Sequence, residues 1–144
     1  MSASEAATFI LHLLRPVEAT QERLETLTAL LERLTTFLEA SEAVVVYALG
    51  LLRRALTRAG RRHLDGADVE AFAIVAIVVA SGMLEDATFS KRDWAALVRR
   101  SPARLVVWEA RFLALLGFET LISRQEFEKV RRRLKALERL EVVG

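Results

Sequence analysis

A chain of 144 residues with just over half of them apolar suits one domain built around one sizeable core. The absence of cysteine excludes a disulfide framework and a thiolate metal site, and fits an intracellular protein, cytoplasmic or nuclear. The net charge of +2 is too small to mark a nucleic-acid binder, but it is unevenly spread: residues 1–42 hold seven acids against three arginines, and the remainder twelve acids against eighteen basic residues, a two-signed surface suited to steering a partner.

The two histidines, His12 and His63, lie too far apart in sequence to share a metal-ligand spacing, and each reads as a surface residue or a satisfied partner. No signal peptide is expected, because the first residues are polar and lack a basic region. The longest uncharged apolar stretch, Ala71 to Leu84, has 14 residues. A membrane helix needs about 20, so a buried core helix is the better reading and no membrane association is expected.

Helix signals recur at short intervals along the chain. "SASEAATFILHLL" opens with Ser2 and Glu5 at capping-box spacing and stops near Arg15-Pro16, where the residue before proline avoids the helical region. This predicts an N-terminal helical extension over 1–18, with the main domain over 19–144. Residues 20–39 place Leu24, Leu27, Leu31, Leu34 and Leu38 on one stripe. The stripe covers about two heptads where a coiled coil needs three or four, which favours a core-facing helix over a zipper. Residues 42–59 put Val45, Leu49, Leu52 and Leu56 on one face and Arg53, Arg54 and Arg58 elsewhere; "GRRHLDG" then breaks the chain at Gly60 and Gly66.

Residues 67–84 are apolar nearly all round between Ala71 and Ala80. The β-branched residues Ile74, Val75, Ile77, Val78 and Val79 would also suit a strand. A helix is expected instead, since the run exceeds common strand length and no second strand-like run exists to pair with it. A helix apolar on every face must be surrounded by others, so this segment is expected to be the most buried. Ala73, Ala76 and Ala80 share a stripe along which a neighbouring backbone could approach. A polar connector follows, and Ser90 caps a short helix through Arg100. Ser101-Pro102 supplies an N-cap serine and a proline at the first helical position of a helix to Leu116, with Gly117 suited to the position after its end. "SRQE" at 123–126 is a second capping box, opening a helix with Phe127, Val130, Leu134 and Leu137 on one face.

Taken in order, these elements predict an all-α fold: an outer helix, a second, an all-apolar central helix, a polar connector with a short helix, then two more helices. From about residue 67 to 130 the chain resembles a cyclin box. "VASGMLED" stands where the family's third helix ends in Ala-Ser-Lys-Phe followed by acids; "SKRDWAALV" stands for the short helix; "WEARFLALLGFET" supplies a glutamate, Glu109, and Phe118; "ISRQEFEKV" matches the start of the fifth helix. Residues 20 to 66 are similar in helix count and spacing, and "VVVYALGLLRRALTRAG" resembles the second helix of the short single-box cyclins of fungi and plants, including the phosphate-responsive kind. The resemblance implies a cyclin-box-like five-helix domain around a buried central helix, with an extra N-terminal helix. It also implies no catalytic chemistry and no cofactor, a cyclin-dependent protein kinase as partner, and a monomer before kinase binding. The kinase-binding positions it implies are Gly82, Met83, Glu85, Asp86, Glu109, Phe118 and Thr120.

Two of these raise questions of their own. In the family, a lysine after Ala-Ser sits with the glutamate of the fourth helix near the kinase face; here the lysine position is Gly82. That glycine reads either as a functional loss or as a helix terminator. Glu109 has Leu105, Phe112 and Leu113 as its helical neighbours and no basic residue three or four positions away. A carboxylate in an apolar stripe needs a partner unless it lies at the stripe's edge, and Arg53, Arg54 and Arg92 are the expected candidates.

Three functions compete: a kinase-binding cyclin, a cyclin-like adaptor that docks without activating, and a nucleic-acid-binding cyclin-fold protein of the general transcription factor kind. The third would use Arg53, Arg54, Arg58, Arg61 and Arg62, then Lys91, Arg92, Arg99, Arg100 and Arg104, and finally Arg131 to Arg133. Interleaved acids and the small net charge make solvated helix faces the better reading of these residues, so nucleic acid is not expected as a partner. An enzyme is not expected either: there is no cysteine, paired-carboxylate motif, glycine-rich phosphate loop or histidine-based triad.

Overall fold

A computed structural model of the chain describes residues 21–38, 42–59, 66–84 and 90–143. Within them lie six helices and no strand: α1 (Gln21–Leu38), α2 (Glu42–Ala59), α3 (Gly66–Leu84), α4 (Lys91–Val98), α5 (Pro102–Leu115) and α6 (Arg124–Val143). The expected helix over 1–18 and the break at 60–65 lie outside the described residues. The continuous apolar segment forms helix α3 and not a strand, in agreement with the length argument.

The helix starts follow from local hydrogen bonding. Ser90 Oγ accepts from the Asp93 amide at 3.1 Å while the Asp93 carboxylate accepts from the Ser90 amide at 3.3 Å, a complete capping box at the start of α4. Ser101 Oγ accepts from the Arg104 amide at 3.2 Å, with Pro102 at the first position of α5. Ser123 Oγ accepts from the Glu126 amide at 3.1 Å at the start of α6. Two ends share one geometry. At the end of α5, Gly117 takes φ +61, its amide donates to Ala114 O and the Phe118 amide to Leu113 O. At the end of α4, Arg99 takes φ 56, its amide donates to Ala96 O and the Arg100 amide to Ala95 O. No glycine signals that second end, and the helix stops at Val98 instead of running to Arg100.

The core is organised around α2 and α3, which lie against each other; α2 also packs on α5 and α6, α3 on α5, α4 on α5, and α1 on α4. Ala71 through Ile77 form an unbroken buried run, and Ala73, Ala76 and Ala80 are all buried, as a helix apolar on every face requires. Among the residues whose burial is described, α2 is buried to a similar extent. Val44 through Leu52 of α2 are buried without interruption, whereas Val78 and Val79 of α3 are half-buried and its last turn is exposed. Among the described residues, α2 packs closely on α3, α5 and α6, and α3 on α2 and α5. Leu31 and Leu34 of α1 enter the core, as expected for a core-facing helix. Phe72 and Phe112 join α3 to α5 with ring centroids 5.7 Å apart, tilted by 41°, and the Arg111 guanidinium lies over the Phe72 ring.

Candidate partner-docking edge

The last turn of α3 leaves the core. Ala80 and Ser81 are buried, while Gly82, Met83 and Leu84 are exposed. Gly82 does not terminate the helix, which continues through Leu84. A Cβ built at Gly82 meets nothing within 4 Å, so neither packing nor a left-handed backbone demands glycine there.

The segment between α5 and α6 runs beside this turn. The Thr120 hydroxyl donates to the Met83 sulfur at 3.7 Å, joining residues 37 positions apart. On either side of Thr120, Phe118 and Leu121 are 74% and 75% exposed. Met83, Leu84, Phe118 and Leu121 thus present large apolar side chains to solvent on two segments that meet at Met83 and Thr120. Phe118 also has φ 60, a left-handed conformation that is unusual for a bulky residue.

The segment is held from beneath by α2. The Tyr47 hydroxyl donates to Thr120 O at 2.5 Å and accepts from the Ile122 amide at 3.1 Å. A Cβ at buried Gly50 would stand 3.4 Å from the Ile122 side chain, so the segment rests directly on the helix. Arg54 Nη1 donates to Glu119 O at 2.8 Å; its Nη2 donates to Leu121 O at 3.0 Å and to both Glu126 carboxylate oxygens at 2.9 Å. Arg58 donates to Leu116 O and to the Glu119 carboxylate, the latter at 2.9 Å. Tyr47, Gly50, Arg54 and Arg58 follow helical spacing and form one stripe on α2. In the sequence Arg54 is a candidate partner for Glu109 and Arg58 simply lies off the core face, while nothing marks Tyr47. The readable signal was that spacing: a tyrosine, a glycine and two arginines on one face, able to donate to backbone carbonyls beside a chain reversal.

Of the positions the resemblance implies, Met83 and Thr120 meet directly, Phe118 lies two residues before Thr120, and Gly82 is the residue before Met83. Glu109 is half-buried on α5 between buried Leu105 and fully buried Phe112, one turn before Leu113, whose carbonyl receives the Phe118 amide. Arg54, one of its expected partners, is engaged elsewhere, on Glu126 and the carbonyls of Glu119 and Leu121. The left-handed chain reversal leaves those carbonyls needing donors, and a planar guanidinium can serve several at once. Glu85 and Asp86 lie outside the described residues. Among the described residues no group of carboxylates and histidines is placed to hold a metal ion, and no helix is long and apolar enough to cross a membrane.

Compared with families of known proteins, the chain matches the family model described as Cyclin over residues 20–120, from just before α1 through Thr120. Searches of curated proteins and of solved structures gave no match.

Proposed function

The chain belongs to the cyclin family, with a single cyclin box, and from that premise we propose that it is a regulatory subunit that binds a cyclin-dependent kinase and positions the kinase's mobile regulatory helix. Such a subunit needs no chemistry of its own. Kinase activity depends on a Lys–Glu ion pair within the kinase that the position of its helix controls. A protein that binds the active arrangement better than the inactive one shifts the population toward it.

The observation that supports this reading is the contact between Met83 and Thr120, which brings the end of α3 beside the segment after α5, each exposing large apolar side chains. Large apolar side chains grouped at a surface mark interaction sites, and methionine adapts well to a partner's shape. A few such anchors supply most of the affinity of a protein interface. The test is calorimetric titration of purified cyclin-dependent kinases with the wild-type chain and with an F118S/L121S double variant. Binding by the wild type, weakened at least tenfold in the variant while helical content is unchanged, is the expected result. A wild-type chain that binds no such kinase, or a double variant that binds equally well, overturns the proposal.

Gly82 favours a second reading, a docking subunit that does not activate. The surface there is open and carries no cation where the family has a lysine. A kinase assay separates the two: activation on adding the wild-type chain supports the first, binding without activation the second.

A further inference from the structure

The turn that carries Phe118 is costly in two ways that packing does not offset. Phe118 adopts a left-handed backbone immediately after another left-handed residue, Gly117, and its ring is largely in water. A non-glycine residue in that region carries strain and persists there only where its surroundings over-determine it. The over-determining groups are the donors of one α2 stripe. Tyr47 closes a hydrogen-bonded bridge between Thr120 O and the Ile122 amide, so its single oxygen satisfies both a donor and an acceptor of the segment. Arg54 gathers the carbonyls of residues 119 and 121 and the carboxylate of Glu126, which belongs to the first turn of α6. Its side chain is only 15% exposed, so these bonds are partly shielded from water. Arg58 takes the carbonyl at the end of α5.

We infer that Tyr47, Arg54 and Arg58 are positioning residues that hold the segment 117–122 in its binding shape before a partner arrives. The inference rests on the docking role proposed above for Phe118 and Leu121. Binding is strengthened when a loop is ordered in advance, because the cost of ordering it is not charged to association. The brace touches no partner itself; it acts through the placement of Phe118 and Leu121. Arginine is required at 54 because lysine, a single point donor on a flexible stem, cannot bridge two carbonyls and a carboxylate together.

The test uses the full chain as Y47F, R54K and R54M. Phenylalanine at 47 keeps the ring and removes only the hydroxyl. Amide hydrogen exchange at 118–122 should accelerate at least tenfold in Y47F and R54M relative to α3, which reports the core. Kinase affinity should fall about tenfold in both, and R54K should recover little of it. In an F118S/L121S background, where the positioned side chains are gone, Y47F should cause no further loss; a merely structural role would lower affinity by the same factor in both backgrounds. Unchanged exchange at 118–122, or equal loss in both backgrounds, overturns the inference. Should the wild-type chain bind no kinase, the docking proposal fails by itself, and the exchange measurement still decides whether the brace orders the segment.

Discussion

Gly117 and Arg58 fit each other: a methyl group at 117 would lie 3.0 Å from an Arg58 guanidinium nitrogen, at a residue whose φ is +61. The two effects differ in weight. The guanidinium is the far end of a flexible side chain and can move, but the left-handed backbone cannot be relieved locally. G117A is therefore expected to lower stability by about 1–2 kcal/mol, mostly the conformational penalty. G82A is the control, because its site is helical and open; it should raise stability by up to about 0.5 kcal/mol. Paired chemical denaturation curves check both signs.

At position 118 stability and binding should separate. Glycine takes a φ near +60 without the penalty of about 1–2 kcal/mol and loses about 0.5–1 kcal/mol through its greater freedom when unfolded. The exposed ring contributes little packing, so F118G should be neutral to slightly stabilising in thermal melts. In calorimetry the same variant should bind kinase at least tenfold more weakly. A variant that lost stability while keeping its affinity would show that the ring serves the fold and not a partner.

Lysine can be restored at 82 without disturbing the core, since nothing stands within 4 Å of its Cβ position. G82K should fold with its melting temperature within about 2 °C of wild type, corresponding to the ±0.5 kcal/mol usual for surface changes. If the wild-type chain docks without activating, G82K should raise the activity of the bound kinase in a peptide-phosphorylation assay.

Phe112 is fully buried against Phe72, and F112A should cost about 3–5 kcal/mol, the range for truncating a core aromatic. Val107 on the same helix is 56% exposed, and V107A should stay within about 0.5 kcal/mol of wild type. A urea titration of the two variants measures the contrast between the faces of α5.

If, as proposed, charge steers encounter with the kinase and apolar anchors hold the complex, raised salt should slow association while leaving dissociation nearly unchanged. Generic duplex DNA should not bind tightly. A filter-binding titration with high affinity and a steep salt slope would instead favour the transcription-factor reading.

The helices and the family were legible in the sequence because their signals are local. Ser90, Ser101-Pro102 and Ser123 cap through bonds to amides three residues on, and Gly117 ends α5 through bonds to carbonyls three to five residues back, so each needs only nearby chain. The all-round apolarity of 71–80 required a surrounded helix wherever its neighbours came from. Pairings across the fold were decided by the tertiary structure alone. The sequence suggested Glu109 as a partner for Arg54; it met Glu126 instead because α2 lies along the start of α6 and the left-handed turn at 117–118 points carbonyls toward it. In the same way α2 is extensively buried among the described residues because α3, α5 and α6 pack on it, although its sequence shows one apolar face and a basic edge. Charge partners and burial depend on the distance between elements, and no spacing within a single helix contains that distance.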